Sequence, residues 1–317
     1  MSAMPSPATP RIVVLGSLNM DLVVRVPRAP EAGETLQGHS ISNAAGGKGA
    51  NQAVACARQG ALVQLVGCVG DDAHGRALCA GLALDGVNID AVGVHSTEPT
   101  GTALVMVDDA GQNRIVIIAG ANAQVSFDEQ ALRTLLRPAA FLVMQFETPM
   151  ARVVQALHLA RQDNCRVLLN PSPVQPVDDA LWHLIDTLVL NEIEARMLSG
   201  LPADTPRDAA TAGHALRARG VSRVVVTLGA GGAVAVDAQG ARHHPAVSTR
   251  AVDTTAAGDT FLGTLTVGLA SGVGFDDAVT LGIRAAALCI AQVGAQPSIP
   301  WRAAVLHSPC PPAWNVL

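Results

Sequence analysis

The chain has 317 residues, of which 49% are apolar, 3% aromatic and none tyrosine, with a formal net charge of −5. That length supports a large core built from Ala, Val, Leu and Ile with close glycine-mediated contacts. No basic patch suits a nucleic-acid partner, and the apolar runs break well short of the ~20 residues that span a bilayer.

Met1 to Pro10 is small and Pro-rich and reads as a disordered tail rather than a signal peptide. Arg11 to Leu15 is a short buried-strand run ending in Gly16. Residues 22–26 and 34–43 carry apolar or alternating segments split by Pro27, Pro30 and Gly33, which suits half-exposed strands. Residues 48–59 place Ala50, Ala53, Val54 and Ala57 at helical spacing before Gly60. A strand from Leu62 to Val66, a helix from His74 to Leu84 and the turn Asp85-Gly86 follow.

Thr102 to Val107 and Arg114 to Ala119 flank Asp108-Asp109-Ala110-Gly111, the pattern of a hairpin. Strand and helix then alternate: strand 141–145, helix 149–161, strands 166–169 and 187–190, helix 206–219 and strand 223–227. A second hairpin turns at Asp237 to Gly240, and two small-residue helices cover about 258–271 and 275–291. Repeated βα units predict an α/β fold, a central mostly parallel sheet flanked by helices. The early antiparallel pieces, from about 22–43 and 101–119, fit no such sheet and are expected together as a small β-strand lid inserted into one domain, 11–317.

Six cysteines show no C-x-x-C pairing and no zinc spacing, which predicts buried free thiols and a cytoplasmic protein. His243-His244 is expected on an exposed strand rather than at a metal. A Walker A loop fails, because Lys48 is followed by Gly49 and residue 42 is Ser. A dinucleotide fingerprint fails at Thr227-Leu228-Gly229-Ala230-Gly231-Gly232, after which a strand rather than a helix is expected. Phosphate chemistry without a P-loop remains.

Its centre is Ala251 to Gly263, where a β-branched run gives way to Ala256-Ala257-Gly258-Asp259 at a helix start. Uncovered N–H groups of a first helical turn, with a partial positive charge, suit an anion. Asp259 there reads equally as a helix cap and as a group facing a nucleophile. Further polar groups stand at predicted strand ends: Asn19-Met20-Asp21, Glu147, Asn191 to Glu194 and Thr227 to Gly229. Gly46-Gly47-Lys48-Gly49-Ala50-Asn51 opens a helix. In open α/β sheets ligands bind beyond the carboxyl ends of the strands.

Taken together, these motifs resemble the PfkB carbohydrate kinase family from about residue 11 to Trp301. The segments Gly46–Asn51 and Asp253–Asp259 match its two signature regions. The resemblance implies a ribokinase-like fold and transfer of phosphate from Mg·ATP to O5 of a small sugar, D-ribose, with Asp259 as general base. Alternative acceptors are 2-deoxyribose, pseudouridine or another nucleoside, and a keto-deoxy sugar acid.

It also implies a sugar site from Asn19, Met20, Asp21, Gly47, Lys48, Gly49, Ala50, Asn51 and Glu147. The ATP site comprises Asn191, Glu194, Thr227, Leu228, Gly229, Ala230, Gly231, Gly232 and Gly258, and Ala256, Ala257 and Gly258 form the anion hole. Asn191 and Glu194 match a motif that positions Mg²⁺ through water. Asp253 and Thr255, with Cys289, Gln292, Gly294 and Ser298, match the ligands of an activating K⁺. A homodimer through the lid strands, with exposed apolar edges near 22–26 and 102–107, is implied as well. The chain departs from the family pattern at Ala230, at Gly282-Ile283-Arg284 near the adenine, and at Val293.

Overall fold

A computed structural model describes residues 9–317, so the expected tail lies outside the described residues up to residue 8. Strand β1 (Arg11–Leu15) leads into a hairpin of β2 (Asn19–Arg25) and β3 (Ser40–Gly46). There follow α1 (Lys48–Arg58), β4 (Leu62–Gly70), α2 (Ala73–Leu84) and β5 (Val87–His95). A second hairpin, β6 (Gly101–Val107) and β7 (Asn113–Ile118), leads through α3 (Glu129–Leu136) to β8 (Phe141–Met144) and α4 (Met150–Gln162). Next come β9 (Arg166–Leu169), β10 (Thr187–Asn191), α5 (Glu192–Ser199), α6 (Pro206–Ala218) and β11 (Arg223–Thr227). The hairpin β12 (Ala233–Asp237) and β13 (Gly240–His244) precedes α7 (Ala257–Ala270), α8 (Phe275–Cys289), α9 (Arg302–His307) and β14 (Asn315–Val316).

The main sheet has ten strands in the order β14-β13-β12-β11-β10-β9-β8-β1-β4-β5. It is parallel from β11 to β5 and antiparallel at the β12–β14 end. Alternate β1 residues serve two cores: Val13 and Leu15 pack with α4 and α6, Ile12 and Val14 with α1 and α7. That alternation is the period of a strand buried on both faces.

The lid is a separate four-stranded sheet, β3-β2-β6-β7. Its two hairpins are each antiparallel, but β2 and β6 join in parallel, in register from Asn19↔Gly101 to Arg25↔Val107. A parallel join needs a crossover, supplied by α1, β4, α2 and β5. It also corrects two expectations. The strand expected over 34–43 begins at Ser40 and runs to Gly46, because it is fixed by pairing with β2. The segments 22–26 and 102–107 are not edges: they lie mid-sheet, and the free edges are β3 and β7. Strand β7 exposes Ile115, Val116, Ile117 and Ile118.

Composition alone missed β5, α3, α5, α9 and β14. The small residues of α1 and α7 have a direct consequence for packing. A Cβ on Gly263 would come within 2.4 Å of the Ala55 Cβ, so the two helices approach as closely as backbone allows. Their N-terminal ends are thereby set side by side at the carboxyl edge of the sheet.

Candidate functional site

Neither of these two helix starts is capped by a side chain. Gly47 precedes α1 with φ 90°, and Ala256 precedes α7 in the left-handed region at φ 59°. For a non-glycine residue that conformation costs about 1–2 kcal/mol. The Gly258 and Asp259 N–H groups have no hydrogen-bond partner among the described residues. Asp259 is the third residue of α7, and its carboxylate turns away from the helix end toward α1. Asn51 Nδ2 donates to its Oδ2 at 3.1 Å and Gln52 Nε2 to its Oδ1 at 2.9 Å. The cap alternative is therefore excluded by geometry.

Around Asp259 one half of the site, where the acceptor was expected, is made of buried and half-buried side chains. Asn19 Oδ1 accepts from Asn122 Nδ2 at 2.7 Å, which orients its own amide N–H₂ group outward. Asp21 lies against Gly46, where a Cβ would stand 2.3 Å from Asp21 Oδ2. Burial, with Glu147 and then Asp259 adding repulsion, pushes the Asp21 carboxyl up to about 7. Glu147 Oε2 accepts from Ser17 Oγ at 2.5 Å and from Lys48 N at 3.2 Å. It thus serves the start of α1, and α4 begins at Met150, after Pro149, with no side-chain cap. Burial opposes the charge on Lys48, but Asp259, Glu147 and Glu194 together outweigh it and hold the ammonium above its usual range. Met20 of β2 and Ala50 of α1 are buried in the core, and Gly49 N donates to Ser17 Oγ.

Beside these groups lies a cavity of about 250 Å³ walled by Lys48, Asn191, Glu194, Thr227, Gly258 and Asp259. Asn191 and Glu194 form a capping box on α5: Asn191 Oδ1 accepts from Glu194 N, and Glu194 Oε2 from Asn191 N. That signature was present in the sequence and announces α5. Beyond lies a larger cavity of about 710 Å³, with Gly229, Ala230 and Gly232 on one wall and Val247, Ile283 and Ile290 on another. Leu228 packs on the core instead. At the position where base contacts were in doubt, Ile283 supplies an apolar wall, whereas Arg284 is turned to Ser308 and the Leu306 carbonyl. As expected, the strand β12 follows the 227–232 loop.

Behind α7, Asp253 ties two segments together. Its Oδ1 accepts from Thr255 N and Oγ1, and its Oδ2 from Gly294 N at 2.9 Å. Cys289 Sγ lies 3.0 Å from Ser298 Oγ and donates to the Thr255 carbonyl at 3.6 Å. Gln292 joins through its backbone N–H to the Cys289 carbonyl, while its side chain is exposed. Val293 is exposed beside this loop.

Several functional neighbours escaped sequence reasoning: Ser17, Gln52, Asn122, Gln145 and Asn170. Gln52 directly follows the Gly46–Asn51 segment and Gln145 ends the strand expected over 141–145, and a glutamine on the buried stripe of an Ala-rich helix was the available signal. His244 corrects an expectation. It is buried, with Nε2 3.0 Å from Asp276 Oδ1, because β13 is covered by α8 and β14 rather than exposed. All six cysteines are free, with Cys310 exposed, Cys79 half-buried and the others buried. No helix among the described residues is long and apolar enough to cross a membrane.

Comparison with known proteins agrees with this fold. The chain is 38% identical over 299 residues to a ribokinase of Haemophilus influenzae, covering 93% of this chain and 97% of that protein. It is 39% identical over 301 residues to a ribokinase of Schizosaccharomyces pombe, covering 91% and 94%. The Arabidopsis thaliana ribokinase solved with ribose and ATP superposes with a TM-score of 0.87 at 33% identity, covering 94% of this chain and 98% of that one. The family model for pfkB carbohydrate kinases matches residues 9–302, and the chain belongs to that family.

Proposed function

We propose that this chain transfers the γ-phosphoryl group of ATP to O5 of D-ribose, giving D-ribose 5-phosphate. One observation carries the reading. The Asp259 carboxylate stands at the wall of a cavity shared with Lys48, Asn191 and Glu194, and its two oxygens accept from Asn51 and Gln52 on α1. A proton acceptor thus lies between a hydroxyl-binding site and a phosphate-binding site. The two ligands of the Arabidopsis relative match these halves in kind.

Asn19 and Asp21 accept and donate to sugar hydroxyls, and Glu147 and Lys48 close the site from the start of α1. The buried Asn51 Oδ1 has no protein partner among the described residues and suits a hydroxyl donor. Asp259 takes the proton of the attacking hydroxyl, whose oxygen then displaces ADP from the γ-phosphorus. The N–H groups of Gly258 and Asp259, with Lys48, offset charge on the transferring group. Such transition states are loose, so positioning and electrostatics dominate over base strength.

The residues present fit Mg²⁺ held with ATP, since Asn191 lines both cavities, Glu194 lines the smaller one, and Mg²⁺ keeps waters when it binds phosphates. When bound, it would neutralise phosphate charge there. A K⁺ fits the Asp253–Thr255 turn and the 292–298 segment, whose carboxylate, carbonyl and hydroxyl oxygens suit a hard cation. It would hold the backbone that leads into α7. The reading treats 11–317 as one domain with the lid strands inserted, and two subunits paired through the exposed lid edges, where an unpaired apolar strand is a liability.

The test is a panel of ribose, 2-deoxyribose, fructose, a keto-deoxy sugar acid and nucleosides with ATP, with and without K⁺. Ribose is expected to give the highest kcat/KM. A nucleoside preferred over ribose would overturn the acceptor and leave the kinase.

A further inference from the structure

The chemistry above leaves unexplained a chain of buried amides behind Asp259. Gln52 and Gln145 are both 0% exposed. Gln145 Nε2 donates to Gln52 Oε1 at 2.5 Å, and Gln52 Nε2 donates to Asp259 Oδ1 at 2.9 Å. The second hydrogen on Gln52 Nε2 points to Asn170 Oδ1 at 3.3 Å, and Asn170 is itself tied to the Val189 carbonyl. Burying amides is costly unless they are matched, and apolar side chains would fill the same volume at less cost.

The orientation of the Gln52 amide is determined by its neighbours rather than assumed. A flipped Gln52 would set its oxygen against two acceptors, Asp259 and Asn170. Gln145 Oε1 fits against Gly16, where a Cβ would stand 2.1 Å away, and it has no hydrogen-bond partner among the described residues, so the one bond Gln145 makes through its side chain is the one to Gln52. The chain therefore has a direction. Its donors run from the end of β8 through α1 to the carboxylate on α7.

We infer that Gln52, oriented by Gln145, is a positioning residue for Asp259, and that it works with Asn51 as a two-amide clamp on the carboxylate. Adjacent residues of one helix hold the two oxygens, so the carboxylate plane is fixed before the sugar arrives. This rests on the reading of Asp259 as the base. It goes beyond that reading by assigning part of the alignment of the base to Gln52 and Gln145, which lie outside the sugar site.

The experiment is a double-mutant cycle on the full chain, with steady-state kinetics and thermal melting. Gln52→Met keeps the length and removes the amide. It is expected to lower kcat about 10- to 100-fold, the scale of a misplaced reacting group, with the ribose KM changed less than about threefold. In an Asp259→Asn background the same change should move the residual turnover less than about twofold, since residues acting as a unit are not additive. Equal losses in both backgrounds, or a lower melting temperature with kcat retained, would overturn the inference. If Gln52→Met does not fold, Gln52→Met with Gln145→Leu removes both amides together and is subject to the same two criteria. Should Asp259→Asn keep near-wild-type turnover, the failure lies in the base itself. A lost kcat in Asp259→Asn with additive Gln52→Met leaves the base standing and removes only its positioning residue.

Discussion

The two halves of the site are made of different materials. The acceptor half is built from side chains that reach across the chain to one another: Asn19 with Asn122, Ser17 with Glu147, Asn51 and Gln52 with Asp259. The nucleotide half is built from backbone at Gly229 to Gly232 and from aliphatic walls such as Val247, Ile283 and Ile290. Buried polar side chains reject a ligand that leaves them unpaired, often by several orders of magnitude. Backbone N–H groups and apolar walls accept any molecule with a phosphate and a flat face. Discrimination therefore belongs to the acceptor half, and the nucleotide half contributes mainly binding.

The largest effects are expected where charge is buried. Asp259→Asn keeps the shape and the helix, so melting should move little while kcat falls about 10²-fold or more. Turnover within a few-fold of wild type would break the assignment. Asp21→Asn comes next, with kcat/KM for ribose lowered about 10- to 100-fold, the worth of a charge-assisted hydrogen bond. It also has a pH signature. Asp21 titrates at about 7 in the folded protein, raised from 3.8. The fold thus binds this proton more tightly than the unfolded chain does. That stability is fully present below about pH 4 and is lost as pH rises through about 7. Asp21→Asn mimics the protonated state, so it should melt higher than wild type near pH 8, by less near pH 5, and no higher below about pH 4. A reduced melting temperature near pH 8 and near pH 5 would show that the carboxylate is compensated in some other way.

The same difference explains what could be read from the sequence. Asn19, Asp21, Lys48, Asn51 and Asp259 are polar residues at strand ends and helix starts, where a parallel sheet places its ligands, and all of them meet at one site. The parallel segment and the lid hairpins followed from the alternation of apolar runs and turns. What escaped depends on contacts distant in sequence. Gln52 and Asp259 are 207 positions apart, and the parallel join of β2 to β6 crosses five intervening elements. Strand β5 was missed because its alternation is weak on an exposed edge of the sheet. The apolar wall at Ile283 has no polar pattern to announce it. Glycine positions in the nucleotide loop were visible, but which of them carries strain was not.

Gly232 is that position. Its φ is 88°, and a Cβ would come within 2.0 Å of the His244 carbonyl oxygen. Gly232→Ala should cost about 1–3 kcal/mol of stability. It should also raise the ATP KM about tenfold, with the ribose KM moving much less, because the loop is displaced with β13. Equal changes in both KM values would show that the halves are mechanically one.

The smallest expected effect is the sharpest test of the division. Ile283 is 6% exposed and walls the larger cavity on the α8 side. Ile283→Val removes one methylene, which lowers stability by about 0.5–1.5 kcal/mol. If the adenine packs on this wall, the lost contact is worth at most about 0.8 kcal/mol, a two- to fourfold rise in the ATP KM. The ribose KM and kcat should stay at wild-type values, since no polar group of the acceptor half touches Ile283. A shift in the ribose KM instead would mean that packing along α8 and α7 reaches Asp259, and that the aliphatic wall aligns the base as well as the nucleotide.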